Sequence, residues 1–141
     1  MSNDTALTLE LVTPEATVVS EQVDGVSLPT VEGEITVLPG HEPLVVPIKP
    51  GEIRVHKKSG QEYIATSGGW VEITHNLVRV LADTAEHAQS IDESRAQVAV
   101  KRAEKLKGEA ADDVAFADAA AALERALARV RVATKHRHRA R

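Results

Sequence analysis

Residues 80–96, VLADTAEHAQSIDESRA, are where this chain changes character, and the change decides its architecture. At or before Gly69 lie all six prolines and seven of the eight glycines, whereas 17 of the 21 alanines lie after Thr84. Proline and glycine punctuate short strands and turns, and alanine favours helix, so residues 1–84 read as a β module and residues 85–141 as a helical one. Charge divides at the same place, with 12 acids and five bases in residues 1–84 against nine acids and 12 bases in residues 85–141. The two halves can attract each other, or each can face a different partner.

Working outward, the 141 residues are near the size of one ordinary domain or two small ones. The β half can close a modest core. That core has to be aliphatic, because Trp70, Tyr63 and Phe116 are the only aromatics. The absence of cysteine excludes disulfides, thiolate metal sites and a cysteine nucleophile. The start, MSNDTALTLELV, has no basic segment followed by an apolar one, and no run approaches the ~18 apolar residues of a membrane span. The expectation is a soluble protein on the cytoplasmic side. A net charge of -4 argues against nucleic-acid binding, although the end, KHRHRAR, is locally basic.

Residues 7–12, LTLELV, alternate apolar and polar, which predicts a first strand. Short apolar runs follow at Val18–Val19, Val26–Leu28, Ile35–Leu38, Leu44–Ile48, Ile53–Val55, Tyr63–Thr66, Trp70–Ile73 and Leu77–Leu81, separated by turn pairs such as Glu32-Gly33, Pro39-Gly40 and Gly68-Gly69. Many short strands at this spacing predict an antiparallel sandwich or barrel.

In the second half, Ser90 followed by Glu93 is a capping-box pattern that places a helix start at Ile91. Ala96, Ala99, Ala103 and Leu106 form a narrow stripe of mostly small residues, and Gly108 ends that helix. Asp112 and Asp113 offer the cap of a second helix, in which Phe116, Ala120, Leu123, Leu127 and Val130 recur at helix-packing steps. The short GEAADD link makes an antiparallel hairpin. Small residues bury little area, at about 25 cal/mol per Å² of apolar surface, so this hairpin needs another surface to dock on and is a candidate movable element.

No phosphate-cradling glycine loop is present, the six histidines show no metal spacing, and no nucleophile is paired with a base. Nothing resembles a self-contained active site. Arg95 and Arg102 lie seven apart on one helix, and Arg125 and Arg129 four apart on the other, so each pair shares a face. If the hairpin closes, four guanidinium groups would converge on one anionic ligand, for which arginine forks suit phosphate. The competing reading, which periodicity alone favours, is ordinary ion pairing with Glu93, Glu104 and Asp118. From Arg125 to Arg141 run seven Lys or Arg and no acid, more than helix capping requires, which points to an acidic protein partner.

The runs LPTVEGEITVLPGHEPLVVPIKPG (Leu28–Gly51), SGGWVEI (Ser67–Ile73), VLADTAE (Val80–Glu86) and IDESRA (Ile91–Ala96) closely resemble the epsilon subunit of bacterial F-type ATP synthase. The resemblance covers nearly the whole chain in order. It implies an amino-terminal β-sandwich and a carboxy-terminal helical hairpin in a non-catalytic central-rotor subunit, peripheral on the cytoplasmic face of the cell membrane. It further implies that the sandwich binds the gamma subunit and rests on the c-ring, and that Glu34 and His41, beside the LPG turn, are partner contacts. The hairpin would either fold against the sandwich or extend into the alpha and beta subunits and block hydrolysis, with Arg131 and Lys135 among the cations meeting acidic beta-subunit loops.

Some members of that family bind ATP in the folded hairpin through an Ile/Leu-Asp-x-x-Arg-Ala motif, here Ile91, Asp92, Arg95 and Ala96, with further ligands matching Glu86, Arg102, Arg125 and Arg129. ATP would then be a regulatory ligand, with no cofactor or metal required. Two residues depart from the pattern: Thr36 replaces a common glycine and Trp70 a smaller apolar residue or Phe, both at strand positions where packing would change. The His/Arg-rich end is unlike most members. The competing functional classes are a free-standing ATP sensor, distinguished by failure to co-purify with gamma, and a nucleic-acid binder, disfavoured by charge and by few aromatics for stacking.

Overall fold

The computed structural model describes residues 6–139, so the first five residues and the Ala140–Arg141 end of the basic tail lie outside the described residues. Ten strands come first: β1 (Leu7–Val12), β2 (Thr17–Val23), β3 (Gly25–Thr30), β4 (Gly33–Val37), β5 (Leu44–Ile48), β6 (Gly51–Lys57), β7 (Gly60–Thr66), β8 (Gly69–Ile73), β9 (Leu77–Ala82) and β10 (Ala85–His87). A 3-10 turn at Ala88–Ser90 leads into α1 (Glu93–Gly108) and α2 (Asp113–Arg139).

The strands follow the path β10-β7-β6-β3-β5-β8-β9-β1-β2, with β4 also paired to β3. Strand β3 hands the path to β5 through one pairing, Thr30 with Ile48, and the sheet folds there into a sandwich. Alternation drives this closure: Leu7, Leu9 and Leu11 of β1, Ile53 and Val55 of β6 and Val78 and Val80 of β9 point inward with no exposure. They join one aliphatic cluster with Leu28, Ile64, Val71 and their neighbours, and no aromatic enters it. Each such side chain contributes roughly 1.5–3 kcal/mol on burial.

Two features escape the sequence pattern. Strands β1 and β9 pair in parallel, whereas every other pairing is antiparallel. Period-two alternation is the same in either sense, so composition does not distinguish them. Strand β10 pairs Ala85, Glu86 and His87 with Thr66, Ala65 and Ile64, carrying the sheet three residues beyond the composition boundary. Three residues with no apolar alternation give no strand signal.

Helix α1 starts two residues later than the Ser90/Glu93 pattern places it. Ser90 closes the 3-10 turn, Ile91 is extended and half-buried against Ala65, Ala88 and Val132, and Asp92 is the cap, its Oδ1 accepting the Arg95 N–H at 3.1 Å. An aspartate satisfies the same orphan donor from its own position, and the buried Ile91 fixes the entry angle. Asp112 caps α2 as expected, accepting from the Ala115 N–H at 2.7 Å.

The packing faces are also shifted. Leu106 is 52% and Phe116 49% exposed, and the Lys107 ammonium lies 5.3 Å from the Phe116 ring centre. The residues buried along α2 are Ala119, Ala126, Ala128, Val132 and Ala133, whereas Ala120, Leu123, Leu127 and Val130 are half-buried. Ala119, Ala126 and Ala133 recur every seven residues, and Ala119 and Leu106 line the same surface hollow at the hairpin turn. Val132 packs with Ala65 and Ala88. One helix therefore buries two faces, and a single-seam reading of its periodicity misses one.

Candidate functional site

The junction between the end of the sheet and α2 holds a cavity of 480 Å³ lined by Ala65, Thr66, Ser67, Asp83, Thr84, Glu86, Arg125 and Arg129. Its floor is the β7–β8 connection. The Thr66 hydroxyl accepts the Gly68 N–H at 3.2 Å, and Ser67 Oγ accepts the Thr84 N–H at 3.0 Å, fixing the two loop segments against each other. Strand β10 then carries Glu86 to α2, where Arg129 donates to it through Nε at 3.1 Å and Nη2 at 3.4 Å. A forked pair of this kind holds the guanidinium plane in place. Arg125, one turn earlier, has no carboxylate within 4 Å among the described residues and lines the same cavity.

Arg95 and Arg102 stand elsewhere. They line a second cavity of 330 Å³ with Ser94, Val98 and Ala99, and the two cavities share no residue. Arg95 is highly exposed, its Nε 3.8 Å from Asp92 Oδ2. Ala96 is buried under the same turn, and Ile91 is in the sandwich-facing cluster. The structure thus brings Glu86, Arg125 and Arg129 together, sets Arg95 beside Asp92, and keeps Arg95 and Arg102 out of the first cavity. The surface ion pairs read from periodicity are different ones: Glu93 takes Arg137 Nη1 at 3.1 Å, while Glu104 and Asp118 have no cation within 4 Å among the described residues.

The partner residues divide too. Glu34, exposed on β4, is ion-paired with Arg54 and lines a third cavity with Glu52, Arg131 and Lys135. His41 is half-buried in the β4–β5 loop, its Nδ1 2.6 Å from the Glu42 carbonyl. Thr36 hydrogen-bonds Ser27, whose hydroxyl also meets His56 Nε2 at 2.9 Å, so it packs as a strand residue. Trp70 does not enter the core: it is 54% exposed, opposite Pro47 and Leu81, and Leu81 in turn faces Val12. Sequence reasoning missed the cavity lining Thr66 and Ser67, beside β7–β8, and Asp83 and Thr84, between β9 and β10, because both connections read only as turns. Among the described residues no helix is long and apolar enough to cross a membrane, and no carboxylate–histidine group could hold a metal.

Residues 6–88 match the family described as ATP synthase, Delta/Epsilon chain, beta-sandwich domain, and residues 89–134 its long alpha-helix domain. The chain belongs to the ATP synthase epsilon chain family. The ATP synthase epsilon chain of Herpetosiphon aurantiacus is 45% identical, over 93% of this chain and 96% of the relative. That of Nitratidesulfovibrio vulgaris strain DP4 is 44% identical, over 90% and 95%. A chain in the cryo-EM structure of the Euglena gracilis mitochondrial ATP synthase, OSCP/F1/c-ring in rotational state 1, shares the fold, with a TM-score of 0.78, 24% identity and coverage of 90% of this chain and 81% of that one.

Proposed function

We propose that this epsilon chain is a non-catalytic central-rotor subunit of a proton-translocating F-type ATP synthase whose hairpin restrains ATP hydrolysis and whose docking is favoured by ATP. The observation that carries the ATP reading is the placement of Glu86, Arg125 and Arg129 around one cavity shared by the last strand and α2. An anion held there bridges sandwich and hairpin, so it favours the docked hairpin in proportion to its differential affinity for the two states. Phosphate meets Arg125 and Arg129, and Asp92 orients Arg95, which joins Arg102 at the ligand as the hairpin tightens around it. Converging these arginines without an anion would cost like-charge repulsion, which the ligand offsets.

The sandwich supplies the coupling surfaces. The cross-strand apolar row Val12, Leu81, Trp70 and Pro47, in which Leu81 and Trp70 are exposed and Val12 and Pro47 half-buried, suits the gamma subunit. Glu34 and His41, on the β4 side, meet the polar loops of the c-ring. In the extended state the cations of α2, Arg131 and Lys135 among them, contact acidic loops of the beta subunit within the alpha-beta hexamer. The chain then sits peripherally on the cytoplasmic face of the membrane.

Calorimetry with ATP on the intact subunit tests the switch. Arg125→Ala and Arg95→Ala should each weaken binding about tenfold or more, and Lys57→Ala, which is absent from the cavity lining, should leave it unchanged. Equal losses in all three, or no heat of binding at millimolar ATP, would remove ATP sensing and leave the rotor assignment intact. Co-purification with gamma tests that assignment separately. Cross-linking of Glu34→Cys to the c-ring in assembled enzyme tests the coupling contact, and failure with several linker lengths removes it.

A further inference from the structure

The basic end of α2 is committed inside this chain. Arg139 lies flat over Tyr63, its guanidinium carbon 3.6 Å from the ring centre, and forks onto Glu52, Nη1 to Oε2 at 3.3 Å and Nη2 to Oε1 at 3.5 Å. The Glu52 side chain is only 12% exposed. A carboxylate on so sheltered a side chain is stabilised by cations, and among the described residues Arg139 and Arg54 are the two within 4.0 Å, Arg54 at that limit. Tyr63 is the one tyrosine of the chain, and its hydroxyl donates to Gln61 Oε1 at 2.8 Å, which holds the ring edge and leaves its face to the guanidinium. Two residues back, Arg137 reaches Glu93 at 3.1 Å, and five residues back the Thr134 hydroxyl meets the same carboxylate at 3.5 Å, tying α2 to the first turn of α1.

We infer that the last two turns of α2 are a clasp, in which Arg139 seats between Tyr63 and Glu52 and holds the hairpin on the sandwich without any nucleotide. The platform and the nucleotide cavity have no residue in common. The clasp therefore sets how much of the docked form exists before a ligand arrives, and a cavity ligand adds to it independently. It goes beyond the proposed ATP switch, and its fate does not decide that of the switch. It also gives Arg137 and Arg139, two of the cations at the end of α2, partners within the chain that helix capping alone does not require.

The test is native-state cleavage of the nucleotide-free, intact subunit by thermolysin, which attacks apolar sites such as Leu123 and Val130 only when α2 opens and is indifferent to the substituted charges. The cleavage rate follows the open population when reclosing is fast. Arg139→Gln should raise the rate within α2 roughly fivefold, the scale of a partly exposed cation–π contact with an ion pair. Glu52→Gln and Tyr63→Leu should each raise it roughly threefold, and neither should add to Arg139→Gln when combined with it, because all three break one contact. Urea unfolding of the sandwich should be unaltered by Arg139→Gln. An unchanged α2 rate in Arg139→Gln, independent multiplication of the effects, or an equal weakening of the sandwich would each overturn the clasp.

Discussion

The sandwich and the hairpin bury different kinds of side chain, and the difference sets how firmly each half is held. In the sandwich the buried set is Leu, Ile and Val drawn from nearly every strand, many with no exposure. In the hairpin it is Ala96, Ala103, Ala119, Ala126, Ala128 and Ala133 with the single larger Val132. Alanine lets helices approach closely yet removes little apolar surface from water, so the α1–α2 seam gains little per contact, and α2 is further supported where it meets β6 and β7. Beside the small apolar cluster of Val132 with Ala65 and Ala88, what holds it there is polar: Arg129 on Glu86 and Arg139 on Glu52 and Tyr63. Polar contacts at partly exposed sites are individually small and reversible. The sandwich thus has the packing of an anchor, and the conditional docking proposed for the hairpin rests on contacts weak enough to release.

The comparison breaks most visibly at the sandwich core. Ile53→Ala should lower stability to urea by about 2–5 kcal/mol, because a fully buried side chain is replaced by a cavity. If the hairpin were an equal part of one cooperative unit, removing every residue after Ser90 would do the same. Instead, that deletion should leave a sandwich with a nearly unchanged midpoint, and in assembled enzyme it should raise ATP hydrolysis. The cut falls after Ser90 because a cut after Asp83 would also remove β10.

A second large effect is backbone strain confined to the sandwich. Gly69 has φ +144°, and a side chain there would meet the Leu81 carbonyl oxygen at 2.1 Å. Gly69→Ala should therefore cost about 1–3 kcal/mol or more, measured by thermal unfolding, and should disturb the pairing of β8 with β9.

Smaller, and confined to the arm, is Ala126→Leu. The added volume at a close helix contact should cost about 1–3 kcal/mol of docking and speed amide exchange in α1 and α2, with sandwich exchange unaffected. The smallest effect lies at the far end of β6. Lys57 Nζ sits 2.6 Å from both Glu21 and Glu62, and these hydrogen bonds, Glu21 foremost, raise its pKa above the ordinary 10.5. A lysine raised in the folded state stabilises fully at neutral pH, and that stability is lost as pH climbs through its raised pKa. Lys57→Met should cost under ~1 kcal/mol at pH 7, with the difference from wild type fading above that range.

The strands were legible because alternation at Leu7–Leu11 or Ile53–Val55 is a local property, and turn pairs such as Glu32-Gly33 bound each run. The parallel sense of β1 against β9 was not, since it depends on where two distant segments meet. Among the helices, Asp112 announced its cap, whereas Ser90 competed with Asp92 two residues away and only the burial of Ile91 decides between them. Arg125 and Arg129 were legible as a pair sharing one helix face, but Glu86 emerges only from family likeness, because no spacing links a strand residue to a helix 43 positions later. Tyr63 and Glu52 gave no signal at all: neither is unusual in its strand, and their role arises only when the end of α2 lies across them.

The central claim is that docking of the arm is an equilibrium separate from folding of the sandwich. Hydrogen exchange on the intact subunit, with and without saturating ATP, tests it most directly. Core amides of β1, β6 and β9 should exchange only through global unfolding and ignore ATP, while amides of α1 and α2 should exchange at least about tenfold faster and slow several-fold when ATP is added. Hairpin and sandwich amides exchanging at one common rate, with ATP slowing both alike, would contradict the account.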